Sequence, residues 1–143
     1  MTKLFERILV AADGSERNLP AVRKGLEIAR ACGSDLHIVY VIDESAFTSG
    51  QADVLPEDIY ENLRSEGERA IGGALEIAGG LPVMTHVLSG KPAKVITEFA
   101  ARNGIDLIVV GSLGKTGLSR LLLGSTAEEI IRTAGCGVLV VKG

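Results

Sequence analysis

The sequence predicts an α/β protein: one open parallel sheet with helices on both faces, in a single domain over residues 1–143. Three observations predict it. Five short apolar runs alternate with four helix-periodic segments in the order βαβαβαβαβ, which gives parallel strands joined by right-handed crossovers. Several runs, Ile38–Ile42 and Leu107–Val110 among them, are continuously apolar rather than alternating, as in strands covered on both faces. A length of 143 residues suits one core and leaves no room for a second.

The strands are read at Arg7–Ala12, Leu36–Ile42, Val83–Leu88, Asp106–Val110 and Val138–Lys142. After the first, Leu19, Val22, Leu26 and Ala29 form an apolar helical stripe, with Ala21, Gly25, Ile28 and Cys32 beside it. Asp43–Leu55 is a longer polar connection containing Gly and Ser, expected to overhang one end of the sheet. The longest helix runs from Pro56 to about Ala78, with Ile59, Leu63, Ala70, Ala74 and Ile77 inward. Its Gly67, Gly72 and Gly73 each cost about 1 kcal/mol against alanine, so close packing or a break is expected there. Pro92 stands at a first helical position, opening a helix with Val95, Ile96, Phe99 and Ala100 inward. Ala127, Ile130, Ile131 and Ala134 define the last helix.

Composition narrows the function classes. Apolar residues make up 46% and charged residues 23%, which excludes a disordered chain, and no apolar run approaches the roughly eighteen residues of a bilayer span. A net charge of −3 argues against a general binder of nucleic acid or anionic membrane. Locally the balance differs. No acid lies between Asp106 and Glu128, where Lys115 and Arg120 are basic, and Lys91 and Lys94 carry the only full charges from Pro82 to Thr97. These windows suit a small positive pocket, or chance spacing of surface charge. Cys32 and Cys136 make no disulfide framework, and no Cys/His set has zinc-ligand spacing. His37 and His86, far apart in sequence, read as structural or surface residues. Glu6 and Arg7 stand directly before the first apolar run, unlike a signal peptide, so the expected location is cytoplasmic.

Glycine is the outlier. At the usual ~7% the chain should hold about ten; it has 18, and Gly111, Gly114, Gly117 and Gly124 fall close together. Ligands of open α/β sheets bind beyond the carboxyl ends of the strands, where the winding reverses, and this cluster follows the fourth strand. It is no P-loop, because the glycine required five residues before Gly114-Lys115 is Val109. Nor does a G-x-G-x-x-G follow the first strand, where Ala11-Ala12-Asp13-Gly14-Ser15 stands instead. Gly111 can let a ligand approach the chain closely. Gly124 and Ser125 directly precede the last helix, whose N-terminal N–H groups and dipole favour a phosphate. Ser125 with Glu128, and Thr126 with Glu129, also read as capping boxes, a structural role that is compatible with phosphate binding. Asp13 falls at the carboxyl edge of the first strand. There an acid accepts hydrogen bonds from ribose hydroxyls, although Asp13-Gly14-Ser15 is equally good turn chemistry.

With these residues in view, the chain resembles the universal stress protein family over nearly its whole length, from Ile8-Leu9-Val10-Ala11-Ala12-Asp13-Gly14-Ser15 to Val138-Leu139-Val140-Val141. The family's nucleotide signature is glycine, two residues, glycine, nine residues, then glycine and serine or threonine. It is met at Gly111, Gly114, Gly124 and Ser125. The resemblance implies a Rossmann-like sheet of order 3-2-1-4-5, of the adenine nucleotide alpha hydrolase type, and an ATP-binding stress-response protein. It implies Asp13 on the ribose, and Gly111 and Gly114 against ribose and phosphates. Gly124, Ser125 and Thr126 would donate to the outer phosphates, Val41 would offer backbone groups to adenine, and Ala11 and Ala12 would wall the base. Mg or Mn would be held mainly by the phosphates, and a homodimer would form through the last strand, Val138–Lys142. One departure is Gly137 after Cys136, where the family often has proline; it touches no nucleotide position.

The loops at this edge hold no His and no evident general base, and hydrolysis needs a group that positions water at the γ-phosphate. The expected function is therefore an ATP-binding regulatory module with slow or no hydrolysis, with no catalytic residue and an unidentified protein partner. The alternatives are a slow ATPase or self-phosphorylating enzyme, and a nucleotide-free dimeric scaffold.

Overall fold

The computed structural model describes residues 2–44, 56–113 and 123–143. Within them, β1 (Arg7–Ala12), β2 (Asp35–Asp43), β3 (Val83–Gly90), β4 (Leu107–Gly111) and β5 (Gly137–Val141) form one sheet. The strands alternate with α1 (Leu19–Cys32), α2 (Glu57–Ala78), α3 (Pro92–Arg102) and α4 (Ser125–Thr133), and a single 3₁₀ turn, Glu16–Asn18, leads into α1. All neighbours pair parallel, in the order β3-β2-β1-β4-β5. The order reverses between β1 and β4, and the expected fold is the one observed.

Alternation along the buried strands divides the core. Ile8, Val10, Leu36, Ile38 and Tyr40 face α1 and α2, while Leu9, Val39, Ile108 and Val110 face α3 and α4. The helices approach closely where they lack a side chain. A methyl at Gly25 would collide with Val10 Cγ2, and one at Gly67 would stand 2.6 Å from the Tyr40 ring. Gly67 is thus close packing and α2 runs unbroken past it, while Gly72 and Gly73 face open space. The buried stripe of α2 is Gly67, Ile71, Ala74 and Ala78. Of the inward set read from the sequence, Ala74 is buried, Leu63, Ala70 and Ile77 pack against the core while partly covered, and Ile59 is partly covered without joining it; the glycine sets the line of closest approach.

The β1–β4 seam is short. Pairing runs Ile8–Leu107, Leu9–Ile108 and Val10–Val109 and then stops, although β1 stays paired to β2 as far as Ala12–Tyr40 and β4 to β5 as far as Gly111–Val141. Below the seam the Asp106 carboxylate accepts from the N–H of Glu6 (2.8 Å) and of Arg7 (3.1 Å). The sheet is fastened at one end of β1 and β4 and parted at the other. The Asp43–Leu55 connection falls almost wholly outside the described residues.

Candidate functional site

At the parted end lies a cavity of about 440 Å³, within the ordinary range for a small-molecule site. Its walls bring together Ala11, Ala12, Asp13, Val41, Gly111, Gly124, Ser125 and Thr126, eight residues that the sequence places in four separate segments. Gly114 lies outside the described residues, as do Lys115 and Arg120. Val39, Tyr40, Pro92 and Ile96 add an apolar wall.

The β1 side is wired internally. Asp13 Oδ1 accepts from the Ser15 N–H (2.8 Å) and hydroxyl (2.7 Å), so the turn reading of Asp13-Gly14-Ser15 holds, with Gly14 at φ +82°. Asn18, which the sequence reading did not single out, is buried and lines the same cavity. Its Oδ1 accepts from the Asp13 N–H (3.3 Å) and its Nδ2 donates to the Ala11 carbonyl (3.0 Å). That carbonyl is one of those left behind where β1 and β4 separate. The available signal was an asparagine directly before the Leu19-Pro20 helix start, which reads as a cap. Its side chain turns back to the strand instead, and α1 has no side-chain cap.

The α4 side is arranged differently. The residue that caps α4 is Gly124, at φ −62° and ψ 151°, and no side chain caps the helix. This corrects both capping boxes: Ser125 and Thr126 are already helical, so neither hydroxyl sits where a cap must. The first intrahelical bond runs from the Glu128 N–H to the Gly124 carbonyl (3.0 Å). The N–H groups of Ser125, Thr126 and Ala127 therefore have no acceptor in their own helix, and both hydroxyls are without a hydrogen bond among the described residues. Gly124 itself is held by its N–H to the Ser112 carbonyl (2.7 Å), and the Ser112 N–H donates to Val141 (3.0 Å). The mouth of α4 is thus fixed in place while its donors stay open. Gly111 needs no unusual torsion, and an added methyl there would make only ordinary contact with Asn18 and Leu113.

Charge at the cavity involves neither Lys91 nor Lys94. Its described lining carries Asp13 and Asp43 and no lysine; Lys91 and Lys94 are exposed elsewhere. The positive element on the described walls is the α4 N-terminus. No histidine or cysteine lines the cavity, and burial first, then the Asp106 charge, pushes the Cys136 thiol up, away from a nucleophile's range. Among the described residues no group of three or more His, Cys, Asp or Glu could hold a metal, and no helix is long and apolar enough to cross a membrane.

The family model of the universal stress protein family matches residues 4–142. A universal stress protein of Methanocaldococcus jannaschii is 41% identical over 141 residues, covering 97% of this chain and 83% of that one. Among solved structures, the universal stress protein UspA of Lactobacillus plantarum superposes with a TM-score of 0.82 at 27% identity, over 96% of this chain and 97% of the other. One universal stress protein in complex with cAMP matches at a TM-score of 0.65 and 27% identity, covering 99% and 98% of the two chains. Another, from Archaeoglobus fulgidus in complex with dAMP, matches at 0.70 and 25%, covering 97% and 99%.

Proposed function

The chain belongs to the universal stress protein family, and from that premise we propose that it is an adenine-nucleotide-binding regulatory protein of the stress response, which binds ATP and turns it over slowly or not at all. The observation that carries this reading is the open α4 mouth. Ser125, Thr126 and Ala127, which carry three N–H groups without a helical acceptor and two hydroxyls, line the cavity that Asp13 and the Ala11–Ala12 strand end share. Helix N-termini of this kind bind phosphate. In this reading Asp13 holds the ribose, since its Oδ1 is engaged by Ser15 while Oδ2 stays available. Gly111 and Gly114 admit the ligand close to the chain. Gly124, Ser125 and Thr126 take the phosphates, with Mg²⁺ or Mn²⁺ carried by the phosphates themselves. Val41 and the apolar wall of Val39 and Ile96 accept the base.

Slow turnover follows from the same inventory, because no histidine lines the cavity and Asp13 is assigned away from the outer phosphates. β5 ends the sheet with its side chains half-buried, which supports a homodimer formed through Val138–Lys142, since an apolar edge strand needs covering. A second reading, an adenine monophosphate or cyclic nucleotide as the natural ligand, is favoured by the cAMP and dAMP complexes of the similar structures.

Extraction of the purified protein and identification of its bound nucleotide tests these readings together. ATP is expected; AMP or cAMP selects the second reading, and absence of any adenine nucleotide, with no ATP binding on titration, overturns both. Multiple turnovers at about 1 s⁻¹ or more that vanish in Ser125→Ala would make the protein an enzyme.

A further inference from the structure

On the sheet face packed by α3, His37 of β2 and His86 of β3 meet nitrogen to nitrogen, Nδ1 to Nε2, at 3.0 Å. Their ring planes differ by 17° and their centroids lie 5.3 Å apart. The centroid distance exceeds the N···N distance by about two ring radii, so the line between the nitrogens passes through both ring centres. The rings lie edge to edge in nearly one plane, each nitrogen aimed at the other. One proton between them satisfies both as an N–H···N bond. A second has no place: two N–H groups would point at each other and two like charges would meet where His37 is 7% exposed.

Little else nearby offsets that repulsion. β2 supplies Asp35 and β1 supplies Arg7, whose effects on His37 oppose each other. β3 carries no other ionisable side chain, and α3 presents Phe99 while its Lys94, Glu98 and Arg102 are exposed. Burial above all, then His86 and Arg7, outweigh Asp35 and hold His37 below the usual imidazole value; burial lowers His86 likewise. Unfolding therefore raises both affinities for protons, so this contribution to stability is full above about pH 6.5 and is lost as the pH falls below it.

The pair connects to the cavity along two elements. His37, Val39 and Val41 alternate onto one face of β2, Val39 lies in register with His86, and both valines line the cavity. On α3, the Phe99 ring stands 5.6 Å from His37 and 4.5 Å from His86, and Ile96, one turn earlier, and Pro92 line the cavity.

We infer that the His37–His86 pair is a proton-operated control on the nucleotide cavity. A second proton parts the rings, displaces Phe99 and moves the Ile96–Pro92 and Val39–Val41 walls, so that the ligand is held less tightly in acid. The inference rests on the proposed adenine-nucleotide binding.

The test compares ATP affinity of the full chain at about pH 7.5 and about pH 5.5 with that of His86→Gln. Protonation of ATP itself is common to both proteins and cancels in the comparison. The wild-type protein should lose about tenfold more affinity in acid than the variant, a usual size for coupling between sites. An equal acid loss in both proteins overturns the inference while leaving nucleotide binding intact. No ATP binding by either protein at the higher pH overturns the nucleotide reading instead, and the control with it. A second measurement reads the movement directly: the Ile96 methyl and Phe99 ring resonances should shift in step with the imidazole signals across this range, and stay in place in His37→Asn. Stationary resonances in the wild-type protein overturn the inference even if His86→Gln proves too unstable to titrate.

Discussion

The two walls of the cavity handle their polar groups in opposite ways. The β1 wall closes on itself: Asp13, Ser15 and Asn18 satisfy one another and the Ala11 carbonyl through four hydrogen bonds. The α4 wall is anchored from behind, through Gly124 to Ser112 and Ser112 to Val141, yet leaves its forward donors uncommitted. Asn18 is buried and must find its partners within the protein, whereas Ser125 and Thr126 are exposed, their donors open to water or to a ligand. One wall is therefore a fixed shape against which a ligand is measured, and the other is the part that the ligand completes.

Substitutions can break or sharpen this contrast. Gly124→Val should have the largest effect, because a branched side chain at the mouth of α4 occupies the space before the open donors. ATP affinity by calorimetry should fall on the order of a hundredfold, about 2.8 kcal/mol; unchanged affinity would remove α4 from the site. Asn18→Ala acts on the closed wall and should register first in stability. Losing the buried amide leaves the Ala11 carbonyl and the Asp13 N–H unsatisfied, at about 2 kcal/mol in denaturant unfolding. If Asn18→Ala instead unfolds as the parent does, the closed wall is not self-supporting. Ser125→Ala with Thr126→Ala should weaken ATP by about tenfold through lost bonds to a charged group and leave the melting temperature unmoved. A capping serine would cost about 1 kcal/mol, so a melting shift of several degrees would return these hydroxyls to a purely structural role. Smallest is Ser15→Ala, which removes one of the two donors to Asp13 Oδ1; about 1 kcal/mol of stability and only a few-fold of affinity should be lost.

The parts of this molecule that follow local pattern were legible in the sequence. Strand positions came within a residue or two because buried parallel strands are continuous apolar runs, as at Leu107–Gly111. The cavity residues were legible as a set because chain order and the parallel sheet bring every strand's carboxyl end to one edge. What stayed hidden depended on three-dimensional closeness. At Gly67 the sequence left close packing and a break both open, and its partner, Tyr40, lies far away in the chain. Ser125 and Glu128 had capping-box spacing, but the helix starts one residue earlier than a serine cap requires, with Gly124 as its cap. Asn18 was passed over because a side chain turning back across a strand end has no periodic signature. His37 and His86 are separated by the whole of α2, and only the register of β2 on β3 makes them neighbours.

The seam between β1 and β4 bears on how the molecule yields to force. It holds three register pairs, against six between β1 and β2, eight between β2 and β3 and five between β4 and β5. A sheet resists bending across its strands in proportion to the bonds they share, so its softest line runs between the third and fourth plates of the stack, counted from β3. The Asp106 clamp sits at one end of that line and the cavity at the other. A bend along that line would open the cavity end while the clamped end holds.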